Sequence, residues 1–346
     1  MNYLWGTLMA IIGFFTFISA LKKSENFVYK LFVARAKLLW GHNAHAFLLL
    51  VGIIVMGLSS LFFIGVWGFH GEMPNTDDQE MKADKMLETQ LPKQSLIMED
   101  GGTIRTRILP PIGFQRVTVE EGSFAEYLRT LPLKPHGSPV LYYNGAEKNK
   151  SNVYMAVVDM EISDRDLQQC ADAIMRLRGE YLYGIGSYDK IHFNFTNGFR
   201  VDYSKWMEGY RIALEGNRSF WVKKSEPSNT YQDFRRYMDI IFAYGGTISL
   251  ENELISVDLN EIEIGDIFIQ GGSPGHAVVV VDMAFNETTG EKLFLLAQSY
   301  MPAQETQILV NPIDRDLSPW YSLNFEEEII PTPEWTFKRS DLKRFP

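Results

Sequence analysis

The chemistry this chain could perform centres on one histidine, one glutamine and one thiol. His276 stands in Gly265-Asp-Ile-Phe-Ile-Gln-Gly-Gly-Ser-Pro-Gly-His276-Ala-Val-Val-Val-Val-Asp282, where an apolar run ends in a glycine-rich loop and a histidine opens the next run. A histidine at a strand mouth is oriented and reachable, the two conditions for a general base. The run continues into the turn Asn286-Glu-Thr-Thr-Gly290 and returns through Leu293-Phe-Leu-Leu-Ala-Gln298. A hairpin symmetric about residue 287 pairs position 276 with 298, so Gln298 would orient the imidazole. A slip of a residue or two brings Ser299 or Tyr300 there instead. The plainer alternative is a buried histidine satisfied by a backbone carbonyl.

The only cysteine is Cys170. A nucleophilic thiol needs its pKa lowered by a histidine and usually by a helix N-terminus. Leu167, Cys170, Ala171, Ile174, Leu177 and Tyr181 recur at helical spacing, and Ser163 is the expected cap of that helix. Such a cap puts Cys170 about two turns in, where the dipole's help has faded. It also lies on the apolar stripe, where a free cysteine is commonly a small core residue. Nucleophile and packing residue both stay open. His136, His192 and His276 show no metal-ligand spacing, and no phosphate-binding loop or dinucleotide fingerprint occurs, so no metal and no cofactor is expected. Arg176, Arg178, Glu180, Arg200 and Arg211 would form a polar network or an anion site, with plain surface ion pairs as the alternative.

Several elements must position these residues. Ser123 caps a short helix that stops before Pro132, and Val140–Tyr143 reads as a strand with Val153–Met160 as its partner. Ile191–Phe195 is a strand followed by the turn Thr196-Asn197-Gly198. Tyr231–Tyr244 is an amphipathic helix stopped by Gly245-Gly246. Ile264–Ile269, Ala277–Val281 and Leu293–Ala297 read as core strands of a mostly antiparallel sheet. The tail, with Pro319-Trp320-Tyr321 and Pro333-Glu334-Trp335, wraps the core. Strands and helices without βα alternation give an α+β class.

The first part of the chain differs. Residues 3–21 and 47–69 are uncharged apolar runs, each of a length to cross a bilayer. Between them Lys22, Lys23, Lys30, Arg35 and Lys37 face a single Glu25, and Glu72, Asp77, Asp78, Glu80 and Asp84 follow the second run. Basic short loops stay in the cytoplasm, which puts both termini outside. The expected organisation is a transmembrane hairpin over 1–70, a polar linker over 71–103 and a globular domain over 104–346. The lipid bilayer is thus the first expected partner. The alternative for the first run is a cleaved signal peptide, which would carry a basic n-region. With a net charge of −10 and no basic stripe, nucleic-acid binding is disfavoured. One thiol allows no internal disulfide framework.

Pro111-Ile-Gly-Phe-Gln-Arg116, Leu167-Gln-Gln-Cys-Ala-Asp-Ala173, Arg176-Leu-Arg-Gly-Glu-Tyr181, Gly275-His276, Gln298-Ser-Tyr-Met-Pro-Ala-Gln304 and Thr332-Pro-Glu-Trp335 together resemble a bacterial envelope family known as domain of unknown function 4846. That resemblance spans nearly the whole globular part and implies no activity. Residues 228–300 also resemble, more weakly, the glycine-aspartate and histidine strands of NlpC-type and CHAP-type cell-wall amidases, which are papain-like. In those enzymes the nucleophile helix shortly precedes the glycine-aspartate strand. Here that place belongs to the helix starting near Ser228-Asn-Thr-Tyr231, which has no cysteine. The expectation drawn is a membrane-tethered cysteine amidase or peptidase, with Cys170 attacking, His276 accepting its proton and Gln298 orienting the ring or holding the oxyanion. Its ligand would be a cell-wall peptide or glycan on the periplasmic or extracellular side. The competing expectations are a non-catalytic envelope binding module and a scaffold for another membrane protein.

Overall fold

The computed structural model describes residues 2–24, 26–63, 95–149, 152–323 and 328–346. The chain divides into two compact units, Met1–Pro92 and Lys93–Pro346.

The first unit holds α1 (Asn2–Leu21), α2 (Phe27–Trp40) and α3 (Ala44–Phe63). Glycine lets α1 and α3 close on each other. A Cβ on Gly13 would come within 2.8 Å of Met56 Cγ, and one on Gly52 within 2.7 Å of the Phe17 backbone nitrogen. Ile11, Ile12, Phe14, Ile53 and Ile54 point outward. The segment expected as a plain loop folds instead as α2, anchored where the Tyr29 hydroxyl meets His45 Nδ1 at 2.8 Å. Among the described residues one helix, over Gly41–Ser59, is long and apolar enough to cross a membrane, and the apolar stretch Met9–Leu21 is shorter. The expected pair of equivalent spans is corrected to that extent. The end of the second expected span and most of the linker lie outside the described residues.

The second unit is α+β, built on a large antiparallel sheet with flanking helices. Its helices are α4 (Ile104–Arg107), α5 (Phe124–Arg129), α6 (Cys170–Gly184), α7 (Tyr203–Met207), α8 (Tyr231–Tyr244) and α9 (Thr247–Glu253). Among the described residues the sheet has nine strands. Seven run in the order β2 (Tyr154–Val157), β11 (Gln307–Leu309), β10 (Lys292–Gln298), β9 (His276–Phe285), β8 (Ile267–Gln270), β15 (Leu342–Arg344) and β7 (Ile255–Ser256). β1 (Gln115–Arg116) adds to β9, and β12 (Tyr321–Ser322) to β10. Hairpins β3/β4 (His192–Asn194, Arg200–Asp202), β5/β6 (Tyr210–Glu215, Arg218–Lys223) and β13/β14 (Ile329–Pro331, Thr336–Lys338) complete the unit.

β9 explains the layering. Nine of its positions are buried, so both faces of the sheet must be covered. Ala277, Val279 and Val281 pack with Ile174 and Leu177 of α6 and with Tyr237 and Ile241 of α8. Val278 and Val280 join Phe268, Phe294 and Phe337 on the other face. The alternation flips at a bulge opposite Leu295/Leu296. There Asp282, fully buried, accepts from Arg116 Nε at 2.7 Å and Arg129 Nε at 2.6 Å.

Two strand expectations change. β2 pairs with β11 rather than with 140–143, whose residues make only isolated bridges from Leu141 to Glu147 and from Tyr142 to Gln304. The tail wraps the core as expected, but it also donates β15 to the sheet between β8 and β7.

Candidate functional site

α6 begins at Cys170, with Gln169 as its N-cap. The expected start at Ser163 is corrected. Ser163 closes a local turn on Arg165, and Asp166 Oδ1 holds the segment off helix by accepting from the Ala303 N–H at 2.7 Å and from Gln169 Nε2 at 3.0 Å. Asp172, at the third helical position, accepts the Gln169 N–H at 3.1 Å. Cys170 therefore sits at the positive end of a 15-residue helix, not two turns inside it. The backbone amides of Cys170 itself, Ala171 and Ala277, the last being the neighbour of His276, act to lower the pKa of its thiol. Burial nevertheless pushes the thiol up to about 11, helped by the Asp172 charge and opposed by those three amides.

His276 opens β9 and is 1% exposed. The observed register pairs Ala297 with Val279, two residues off the symmetric hairpin, because the turn and the bulge shift the strands. Gln298 is thus a diagonal neighbour rather than a direct partner, and its long side chain spans the gap. His276 Nε2 and Gln298 Oε1 are 2.8 Å apart. Tyr300 presents an edge to the imidazole with ring centroids 4.7 Å apart, while Trp335 and Phe337 lie at 5.5 Å and 5.8 Å. Burial pulls the imidazole down to about 4, against the Gln298 hydrogen bond and the Glu334 charge.

The hydrogen-bond chain behind this pair fixes the tautomer. Gln298 Nε2 donates to Glu334 Oε2 at 2.8 Å, and Lys148 Nζ donates to the same oxygen at 2.5 Å. A carboxylate accepts only, so the Gln298 amide nitrogen must face Glu334 and its oxygen must face His276. The neutral imidazole then carries its proton on Nε2 and leaves its lone pair on Nδ1. Trp335 Nε1 donates to Gln270 Oε1 at 2.9 Å, tying the tail to the strand before His276.

Cys170 opens onto a cleft of about 400 Å³. Gln169, Asp172, Thr247 and Met301 line it together with the loop Gly272–Gly275. Gly275 is confined there: a Cβ would meet Thr247 Oγ1 at 2.4 Å and Gln270 O at 2.7 Å. Of the side chains expected to form one network, Arg176 and Glu180 pair with each other, while Arg178, Arg200 and Arg211 have other partners. Arg176 binds Glu180 at 2.5 Å and Gln168 at 3.1 Å, Arg200 binds Asp202 at 2.8 Å, and Arg178 and Arg211 lie over the Phe124 and Trp206 rings at 5.0 Å and 4.1 Å. Cys170, His276 and Gln298 stand out in the sequence, whereas the roles of Lys148, Glu334, Trp335 and Asp172 emerge only in the fold. A signal for the tail existed in Thr332-Pro-Glu-Trp335, whose fixed turn (Thr332 Oγ1 to Trp335 O, 2.8 Å) places Glu334.

Comparison with curated proteins finds no match, and neither does comparison with solved structures. The family model described as domain of unknown function (4846) matches residues 104–344, which covers the sheet, the Cys170 helix and the His276–Gln298 pair, and the chain belongs to that family.

Proposed function

We propose that the Cys170 cleft is the site of a cysteine amidase or peptidase of papain-like kind. The observation carrying this reading is the place of Cys170 at the N-terminus of α6, on the lining of a cleft that also includes Gly275, the residue before His276. In the reaction, the sulfur bonds to the substrate carbonyl carbon as its proton passes to His276 Nδ1, a transfer that needs the imidazole to turn from the Phe337 face of the sheet, where it packs, toward the α6 face. The imidazolium then protonates the leaving amine, and water hydrolyses the thioester to acid and free thiol. Gln298 holds the ring, and the first backbone amides of α6 face the developing oxyanion. The substrate class is an amide-linked envelope peptide.

One observation favours a second reading, a non-catalytic binding module. With the thiol near 11 and the imidazole near 4, both groups rest neutral. The gap places the separated ion pair on the order of 10 kcal/mol above the neutral pair. Proton transfer would therefore accompany attack rather than precede it. A thiol-directed amide electrophile separates the readings. The enzyme reading expects labelling of Cys170 in the folded protein, abolished in His276→Ala, and amide hydrolysis lost in Cys170→Ala with melting unchanged. Labelling only after denaturation, with ligand binding retained in Cys170→Ala, establishes the binding module.

The same proposal places the second unit outside the cytoplasm, with α1 and α3 as a membrane hairpin. The basic residues between 22 and 37 support that orientation, and the glycine contacts at Gly13 and Gly52 support close helix pairing in lipid. A reporter fused after Pro346 should be active only on the non-cytoplasmic side; cytoplasmic activity reverses the assignment.

A further inference from the structure

We infer that a second cleft, walled by α6, the β3/β4 hairpin and α9, binds the phosphate group of a small soluble molecule through Arg178 and Lys190. The cleft holds about 300 Å³, at the small end of the range for ligand pockets, and shares no lining residue with the Cys170 cleft. It therefore stands apart from the amidase reading. Arg178 carries the inference. Its guanidinium is framed by the rings of Phe124, Phe345 and Tyr181, with centroids 5.0, 5.3 and 5.9 Å away, and Phe345 itself lines the cleft. Among the described residues no nitrogen of Arg178 has a hydrogen-bond or ion-pair partner, and none is sealed from solvent. A guanidinium that has lost much of its water to ring faces still lacks acceptors, and burial lowers its pKa.

Its neighbours say which acceptor fits. Lys190, on the turn before β3, is a second lining cation whose ammonium has no partner among the described residues. No carboxylate of those residues, that of Pro346 included, lies within ion-pair distance of either cation. Arg200 adds a third positive charge, shared with Asp202 at 2.8 Å. On the acidic side Asp189 is exposed, and Glu253 Oε1 accepts the Asn194 N–H while burial raises that carboxyl to about 7. Arginine's planar fork takes two oxygens of one anion, and the lysine beside it can take a third. Two unpaired cations match a dianion, which a phosphate monoester supplies and a single carboxylate does not. His192 reports the local field. The Lys190 carbonyl only accepts, so His192 Nδ1 donates to it at 3.1 Å and Nε2 is left without a partner. Burial pulls this imidazole below its usual range, and the Arg200 and Arg178 charges push the same way against Asp202. An anion held among these cations reverses that push.

NMR of the full chain tests this through the Cε1–H signal of His192, assigned with His192→Gln. Inorganic phosphate is expected to raise the His192 titration midpoint saturably, by at least about one unit. Acetate at equal ionic strength should need at least about tenfold more anion for the same shift. Arg178→Gln should weaken phosphate at least about tenfold. Lys190→Gln, on an exposed turn that tolerates the change, should weaken it at least about threefold and decides the matter if Arg178→Gln does not fold. Asp189→Asn, which removes a nearby negative charge, should tighten binding. A phosphate shift no larger than that of chloride overturns the inference, as does a shift undiminished in Lys190→Gln. Acetate as effective as phosphate overturns the choice of a dianion. Phosphatidic acid mixed into the detergent should give no shift where phosphate saturates; a lipid that displaces phosphate overturns the soluble ligand.

Discussion

Glu334 governs the protonation of an imidazole it does not touch. Its carboxylate orients the Gln298 amide, and that amide in turn dictates which nitrogen of His276 bears hydrogen. Long-range nitrogen–proton NMR correlations should therefore report a single neutral Nε2–H tautomer near neutral pH. Glu334→Gln, whose amide can donate or accept, should yield a mixture of tautomers; a parent ring protonated on Nδ1 would refute the assignment. The His276–Gln298 contact was legible from turn chemistry because hairpin neighbours lie close in sequence. Lys148 and Glu334 were not, since 186 residues separate the partners of that ion pair. The capping role of Asp172 is hidden in the sequence because Ser163 is a more conventional cap upstream.

Among the elements, β9 and α8 show what periodicity can and cannot specify. α8 runs over Tyr231–Tyr244 as expected, capped by Thr230, and Phe234, Tyr237, Met238 and Ile241 bury the face that the spacing implies. The strand runs around His276 were equally plain. The bulge in β9 was not, because an uninterrupted valine run carries no mark of an extra residue. Its position coincides with a buried charge. Asp282, held by Arg116 and Arg129, also accepts the Met283 N–H at 2.8 Å. Asp282→Ala would leave Arg129 buried without its counter-charge, at a cost of about 3–5 kcal/mol. Chemical denaturation measures this, and a loss below about 1 kcal/mol would mean that the two arginines find other acceptors.

Across the whole second unit, buried titratable groups set an acid–base profile for stability. Burial raises Asp172 and Glu253 to about 7, so between about pH 4 and 7 each holds a proton when folded and releases it when unfolded. Their contribution is present in acid and lost as pH rises towards 7, on the order of 3 kcal/mol per group. His276, pulled down to about 4, acts with the opposite sign. Between about pH 4 and 6.5 the unfolded chain binds the proton that the folded imidazole refuses, so this group favours folding as pH rises. Two carboxyls outweigh one imidazole, and these three groups together make stability decline from about pH 5 to 7. Asp172→Asn should flatten that decline in melting temperature, and an unchanged slope would show that its carboxyl ionises normally. No such profile could be read from composition, since it depends on which side chains are enclosed.

One further consequence lies in β15. Leu342–Arg344 is inserted between β8 and β7, pairing with Phe268 and Ile267 on one side and with Ser256 and Ile255 on the other. Arg344 locks the insertion by gripping the buried Asp266 carboxylate with Nε and Nη2. Translation delivers this strand after every other member of the sheet. Until residues 342–344 arrive, β8 would present an open row of backbone donors and acceptors one strand away from the His276 mouth, and β7 would have no sheet neighbour. The sheet thus closes from the side, around the strand that comes latest in its chain order, and the strand carrying the candidate site is flanked during synthesis by an edge able to capture another chain.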